Sequence, residues 1–245
     1  VGLALSVKPL PLYLCYEALA AISLPQVVRV RTEEAIAWGQ KKLVCSRVGA
    51  TLQLIRLAVV VGLSGAGDTA FVFCGVLDPG ASQGCTAILQ QLYFVGFLGF
   101  GVKAAVFPLH GWLPSAYVAP TPVTALLHAV AVVKAGIFGI IRLTYYVYGV
   151  DFVKGTWPQY VALVMIIFTI VYGSSMALRT RHLKKRLAYS TISQLSYILL
   201  SVMMLTDKGL QSSLVYMVFH AIIKITLFFC CGSVMFTTHT TDVQE

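Results

Sequence analysis

The sequence predicts an all-α membrane protein, a polytopic bundle of about seven transmembrane helices. Of its 245 residues, 58% are apolar and 11% are charged, and the mean hydropathy is +0.83. Soluble domains carry about 25% charged residues, so this chain has too few charges to cover a water-facing surface. The same composition excludes a disordered, fibrous or disulfide-stapled protein.

Seven stretches are apolar and long enough to cross a bilayer, which takes about 20 residues of α-helix. One connection, 65–87, is long and Gly-rich, and its apolar run AFVFCGV is typical of a strand or a surface patch. We predict one transmembrane domain over residues 1–245, with spans at 9–28, 43–64, 88–108, 120–143, 157–178, 187–206 and 211–236.

Basic residues in the loops predict the orientation of these spans. Four Lys and Arg residues lie in 29–42 and five in 179–186, and parity places these two segments on one side of the membrane. The opposite side carries three, namely Lys8, Lys154 and Lys208. Cytoplasmic loops are enriched in Lys and Arg, so the richer side is predicted to be cytoplasmic. The net charge of +9 follows from this topology, and we expect no nucleic-acid partner.

The six cysteines predict neither a metal site nor a bound cofactor. None of them forms a CxxC pair, and no Cys/His cluster has the spacing of zinc or iron–sulfur ligands. Cys74 and Cys85 share a loop, which would allow a disulfide on an oxidising side of the membrane.

Ionisable residues inside the spans are the main functional signal. A charged side chain at the centre of a bilayer costs about 2.5–3.5 kcal/mol on insertion scales, so such residues face protein or water and mark ion pathways. The candidates for a proton relay are Glu17, Lys103, His128, Lys134, His220 and Lys224, and Arg56 and His110 are additional candidates.

Some of these residues also have a structural interpretation. Arg56 has Gln53 one turn away and would then be a packed polar contact. A single buried histidine such as His128 often serves packing through hydrogen bonds. His220 differs, because Lys224 follows four residues later and therefore shares its helix face.

Prolines predict a broken helix close to Lys103. Pro108 follows it, and Pro114, Pro120 and Pro122 come soon after. A proline removes a backbone hydrogen bond, and irregular backbone at membrane depth persists only where it is buried or lines a cavity. Transporters place binding sites at such interruptions. Alternatively, the later prolines belong to an ordinary loop between two spans.

The buried charges predict proton transfer without a redox group. A lysine beside a carboxylate keeps its proton, whereas a lysine isolated in apolar surroundings tends to release it. If Glu17 approaches and then leaves Lys103, the lysine first holds its proton and then passes it toward Lys134.

Three ordered blocks closely resemble the proton-conducting antiporter-like family, and the similarity extends over most of the chain. They are FGVKAAVFPLHGWLPSAYVAPTPVTALLHAVAVVKAGIFGIIR (100–142), LKKRLAYSTISQLSYILL (183–200) and FHAIIKITLFFCCG (219–232). The family comprises large membrane-arm subunits of respiratory complex I, their counterparts in membrane-bound hydrogenases, and subunits of multisubunit cation/proton antiporters.

The resemblance implies a role for each matching position. Glu17 matches the glutamate that pairs with a lysine in a broken helix, here Lys103. Lys134 matches a central lysine, and His128 lies at a position that is often histidine. His220 and Lys224 match a later HxxxK motif.

The sequence also departs from the family pattern. Arg56 and the connection 65–87 do not fit it, and a further broken helix is expected after Glu245. The chain is therefore expected to hold the end of one inverted repeat and the start of the next, incomplete at both ends.

The resemblance implies a proton-translocating, non-redox subunit of a complex I-like NADH:quinone oxidoreductase or a related membrane-bound hydrogenase. Such a subunit lies in a bacterial or archaeal cell membrane or the mitochondrial inner membrane. Its partners would be other membrane-arm subunits, the lipid bilayer and H⁺, or Na⁺ in its place.

Three other functions stay open from the sequence. The chain could be a subunit of a multisubunit Na⁺/H⁺ antiporter without a redox partner. It could instead bind haem through His128 and His220, or be a scaffold whose ion path is inactive.

Overall fold

The structure is a computed structural model, and it describes residues 2–28, 32–64, 71, 86–238 and 240–241. Nearly all of these residues lie in helices, which confirms the predicted all-α fold. Most of the connection 65–87, including Cys74 and Cys85, lies outside the described residues. The strand or patch and the disulfide considered for that connection therefore stay predictions.

The helices follow one another with short connections in most places, as in a helical bundle. A 3₁₀ turn (Pro114–Val118) and two π-helical segments (Leu126–Val130 and Arg142–Tyr148) interrupt the α-helices. The α-helices are α1 (Gly2–Leu5), α2 (Pro9–Val28), α3 (Glu33–Ser64), α4 (Thr86–Ala104), α5 (Thr121–Ala125), α6 (Val132–Ile141), α7 (Val150–Val153), α8 (Trp157–Arg179), α9 (Leu183–Met203) and α10 (Asp207–Thr238).

In the described part of the chain, five helical segments are long and apolar enough to cross a membrane. Helices α2 and α9 occupy the other two predicted spans, 9–28 and 187–206. Large apolar side chains cover the outside of the bundle, such as Leu178 on α8 and Phe236 on α10, which are 77% and 80% exposed. The five segments are Glu33–Gly62, Thr86–Ala104, Thr121–Tyr148, Trp157–Arg179 and Asp207–Thr238.

Helix α3 begins well before the predicted span 43–64. Thr32 caps it, because its hydroxyl accepts a hydrogen bond from the backbone N–H of Ala35 at 3.2 Å. Glu33 and Glu34 lie in the first turn, where negative charge stabilises the helix dipole. Lys42, which the sequence analysis placed in a loop, therefore lies about two turns inside the helix, and it is buried.

Helix α4 ends at Ala104, directly after Lys103, which confirms the predicted helix break. The next residue, Ala105, has a φ of 59°, in the left-handed region that non-glycine residues rarely occupy. The indole N–H of Trp112 donates to the carbonyl of Val102 at 2.7 Å, so a side chain from the following turn holds the helix end. Helix α4 therefore ends before the predicted span 88–108 does.

The predicted span 120–143 is not one regular α-helix. It starts as α5, widens into the π-helical segment Leu126–Val130, and continues as α6 before a second π-helical segment. His128 lies inside the first of these segments. Such π segments occur frequently at functional sites.

Helix α6 packs directly against the broken end of α4, because glycine leaves room for the backbone there. A Cβ atom on Gly136 would lie 2.5 Å from the backbone nitrogen of Ala104 and 2.9 Å from the backbone carbon of Lys103. Gly139 likewise lies against the ring of Phe100. The two helices that carry Lys103 and Lys134 therefore touch through backbone atoms.

We predict that Gly136→Ala destabilises the protein by about 1–3 kcal/mol, because a methyl group there overpacks the contact. Gly62→Ala is the matched control, since a Cβ on Gly62 has nothing within 4 Å and alanine favours the helix. The unfolding free energy in detergent micelles measures both effects. Equal stability of Gly136→Ala and the wild type would contradict the close contact.

Candidate functional site

Lys103 lies at the end of α4 and is held against α2. Its Nζ donates a hydrogen bond to the carbonyl of Tyr16 and lies 3.2 Å from the centroid of the Tyr16 ring. The Tyr16 hydroxyl in turn donates to the carbonyl of Gly99 at 3.0 Å. The ammonium group is buried and bound by a carbonyl and an aromatic ring, which are both neutral.

Glu17 follows Tyr16 and presents a carboxylate with unused hydrogen-bonding capacity. Its Oε1 atom is buried and has no hydrogen-bond partner among the described residues. The side chain lines a cavity of about 180 Å³ between α2 and α3, together with Lys42 and Ser46. The described contacts of the Lys103 ammonium group are with Tyr16, so the pairing of Glu17 with Lys103 stays a prediction.

Lys134 and His220 meet directly across the contact between α6 and α10. The Nζ of Lys134 lies 2.7 Å from Nδ1 of His220 and donates to the carbonyl of Met217 at 3.1 Å. Both side chains are buried. A proton can be shared across a hydrogen bond of this length between two nitrogen groups, so the pair can transfer protons.

Lys224 lies one turn after His220 on α10 and reaches α9. Its Nζ donates to the hydroxyl of Ser190 at 2.9 Å, and the carbonyl of Leu187 lies 3.5 Å away. Ser190 also lines a cleft of about 480 Å³ between α8 and α9. Two relay candidates on one helix therefore contact two different neighbouring helices.

His128 is fully buried in the π-helical segment, and its ring packs against Phe228 at a centroid distance of 5.1 Å. Neither ring nitrogen has a hydrogen-bond partner among the described residues. Buried imidazoles normally use at least one nitrogen in a hydrogen bond. The packing interpretation through hydrogen bonds therefore lacks support in the described part of the chain.

His110 lies outside the membrane-spanning segments, in the turns that follow α4. Its ring packs against Phe107 and Tyr172, at centroid distances of 5.3 Å and 4.8 Å. Burial and the positive charge of Lys41 lower the pKa of His110. His110 therefore belongs to a cluster of aromatic side chains that follows α4, and not to the contacts described above for the relay candidates on α2, α6 and α10.

Arg56 contacts α4 two turns before Lys103, where its side chain packs on Gly96. Its Nε donates to Oε1 of Gln53 at 3.2 Å, and Nε2 of Gln53 donates to the carbonyl of Gly96 at 2.5 Å. These contacts join α3 to α4. They favour the interpretation of Arg56 as a packed polar contact.

Sequence reasoning missed two residues that hold buried lysines and one further buried lysine. Tyr16 binds Lys103, Ser190 binds Lys224, and Lys42 lies beside Glu17. The position of Tyr16 next to Glu17 was a signal for the first, and the serines of α9 were a signal for the second. Among the described residues, no group of three or more His, Cys, Asp or Glu side chains could hold a metal ion.

An apolar exterior around buried lysines and histidines defines an integral membrane protein. A sequence profile described as "NADH:quinone oxidoreductase/Mrp antiporter, TM" matches residues 8–245. The chain therefore belongs to this transmembrane family.

Three similar proteins illustrate the family. The chloroplast NAD(P)H-quinone oxidoreductase chain 4 of Pelargonium hortorum is 31% identical over 204 residues, which are 80% of this chain and 39% of that protein. The membrane-bound sulfane sulfur reductase, an archaeal respiratory complex, contains a chain with a TM-score of 0.84 and 26% identity, over 99% of this chain and 48% of that one. A chain of the Mrp complex from a Dietzia species also has a TM-score of 0.84. It is 28% identical, over 98% of this chain and 25% of that one. This chain thus spans less than half the length of each.

We predict that Lys134 and His220 stabilise each other by about 1.5–3 kcal/mol, the range for a hydrogen bond to a charged group. A double-mutant cycle with Lys134→Met and His220→Phe measures this coupling as a departure from additivity in the unfolding free energy. Ser196→Ala replaces the histidine change in the control cycle, because the Ser196 hydroxyl bonds to Ile192 within α9. Additive effects in both cycles would contradict the Lys134–His220 contact.

Proposed function

We propose that this chain carries H⁺ across an energy-converting membrane as a non-redox subunit of a larger complex. The relay consists of Glu17, Lys103, His128, Lys134, His220 and Lys224. The observation that carries the proposal is the 2.7 Å contact between Lys134 and His220, two relay candidates on separate helices.

The helix packing supports a transfer route from α4 to α10. Lys103 lies in the last turn of α4 at the backbone contact with α6, and Lys134 lies on α6 two residues before Gly136. When Glu17 moves away from Lys103, the lysine loses a favourable electrostatic interaction and tends to release its proton. Lys134 is the relay candidate on the helix that packs against this end of α4, and His220 receives the proton from it.

The chemistry of the buried groups favours H⁺ over Na⁺. Lysine and histidine nitrogens bind protons and not Na⁺, whereas Na⁺ sites in transporters use oxygen atoms such as those of backbone carbonyls. Among the six relay candidates, Glu17 alone offers a carboxylate. A proton relay therefore accounts for more of the buried groups than a sodium site does.

The proposed partners are other membrane subunits that couple proton transfer to a redox reaction. The similarity to a quinone oxidoreductase chain and to a chain of the sulfane sulfur reductase supports a redox assembly. The equal TM-score with the Mrp complex supports the second candidate, an Na⁺/H⁺ antiporter subunit without a redox partner. The subunits that copurify with the full-length protein distinguish the two, since a quinone-reducing or hydrogenase module is expected only for the first.

We predict that Lys103→Met lowers proton transport per assembled complex at least tenfold, because the residue that exchanges the proton is lost. Lys208→Met is the matched control, since Lys208 is an exposed lysine at the start of α10. Proton uptake into vesicles is measured with a pH-sensitive dye, and substrate oxidation by the same complex is measured separately. Wild-type proton transport in Lys103→Met would contradict the proposed relay.

A further inference from the structure

Lys42 is a buried cation on α3 that the proposed relay does not use. Its side chain is 4% exposed, and its Nζ donates to the hydroxyl of Ser23 at 2.5 Å. Ser23 donates onward to the carbonyl of Ala20 at 3.0 Å, and the Nζ lies 5.1 Å from the ring centroid of Trp38. Its bound groups are thus neutral, although burial of an ammonium group is costly. Ionisable residues inside membrane proteins mark functional sites despite this free-energy cost.

A chain of hydrogen bonds connects the surroundings of Lys42 to the broken end of α4. The indole of Trp38 donates to the carbonyl of Trp112 at 2.8 Å, and the indole of Trp112 donates to the carbonyl of Val102 at 2.7 Å. Val102 precedes Lys103. These two indole hydrogen bonds therefore link the helix of Lys42 to the end of the helix of Lys103.

Lys42 lines two neighbouring cavities, one with each member of the Glu17–Lys103 pair. The cavity of about 180 Å³ is lined by Lys42, Glu17 and Ser46. A smaller cavity of about 10 Å³ is lined by Lys42, Lys103 and Trp112. A volume of about 10–15 Å³ is close to the minimum for one water molecule, so the larger cavity has room for several. Lys42 thus shares one cavity with the carboxylate and another with the relay lysine.

The charged groups around Lys42 come from three helices. Glu17 lies on α2 and Lys103 on α4, while Arg47 and Lys41 share α3 with Lys42. Arg47 and Lys41 are exposed, so their charges are less effective at a distance than that of a buried group. Lys42 is therefore the buried cation that lines the cavity of Glu17.

We propose that Lys42 is a second cationic partner of Glu17 and positions that carboxylate by competing with Lys103 for it. When Glu17 turns toward Lys42, Lys103 loses its attraction to the carboxylate and is repelled by the charge of Lys42. Proton release from Lys103 toward Lys134 is then favoured. When Glu17 turns toward Lys103, that lysine holds its proton. The inference rests on the proposed function, because it assigns Lys42 a role in the same relay.

The test compares variants of Lys42 in the full-length subunit within its native complex. We predict that Lys42→Met lowers proton transport per assembled complex about 5–10-fold, because Glu17 then stays with Lys103. Lys42→Arg keeps the positive charge and is expected to retain at least half of the transport rate. Lys41→Met is the matched control, since it removes the same charge from the adjacent exposed position. Lys42→Gln, which keeps a hydrogen-bond donor for Ser23, replaces Lys42→Met if the latter does not assemble.

Charge restoration separates the positioning role from a purely structural one. In Lys42→Cys, an aminoethyl methanethiosulfonate reagent adds a positive charge to the side chain, and methyl methanethiosulfonate adds a neutral group. We expect the first reagent to restore transport at least threefold and the second to restore none, with treated wild-type complex as the control for the other cysteines. Equal effects of the two reagents would overturn the proposal.

The outcome for Lys103→Met distinguishes this inference from the proposed function. If Lys103→Met loses transport while Lys42→Met keeps the wild-type rate, Lys42 has no part in the relay and the proposed function stands. If both variants transport at the wild-type rate, the relay itself is wrong.

Discussion

The cost of burying ammonium groups in a membrane is the constraint on which the rest of this structure depends. The chain meets it by giving each buried lysine a neutral hydrogen-bond acceptor. A carboxylate in contact would lock each lysine in its charged form, whereas a neutral acceptor satisfies the ammonium group without fixing its proton. The lysine–acceptor pairs are Lys42 with Ser23, Lys103 with Tyr16, Lys134 with His220 and Lys224 with Ser190.

The irregular backbone of the bundle lies next to these groups. Helix α4 breaks directly after Lys103, and the π-helical segment around His128 precedes α6. Gly136 lets α6 approach the break until backbone atoms are in contact. Broken backbone exposes carbonyl and N–H groups that are tolerated in a membrane only inside the protein or along a cavity. The breaks therefore help to place polar groups between the helices that carry the buried charges.

Composition and proline positions were sufficient to predict the all-α membrane fold and the break beside Lys103, since both depend on local chemistry. The sequence places the start of α3 too late, because two adjacent lysines, Lys41 and Lys42, are typical of a loop. The sequence does not show that Lys42 is buried. The π-helical segments have no signature in side-chain pattern, because they arise from packing between helices. Lys134 contacts His220 because α6 lies beside α10. The spacing of residues within one helix does not predict which helices lie side by side. The wider path through the family's inverted repeats stays a prediction.

The central claim is that the buried charges belong to one continuous polar path inside the bundle. A high-resolution electron cryomicroscopy map of the full-length protein in lipid nanodiscs tests it most directly. The account predicts ordered water density that joins the Nζ of Lys103 to the Nζ of Lys134, with Glu17 at its near end. Acyl-chain density against either lysine, or dry apolar packing between the two, would contradict it.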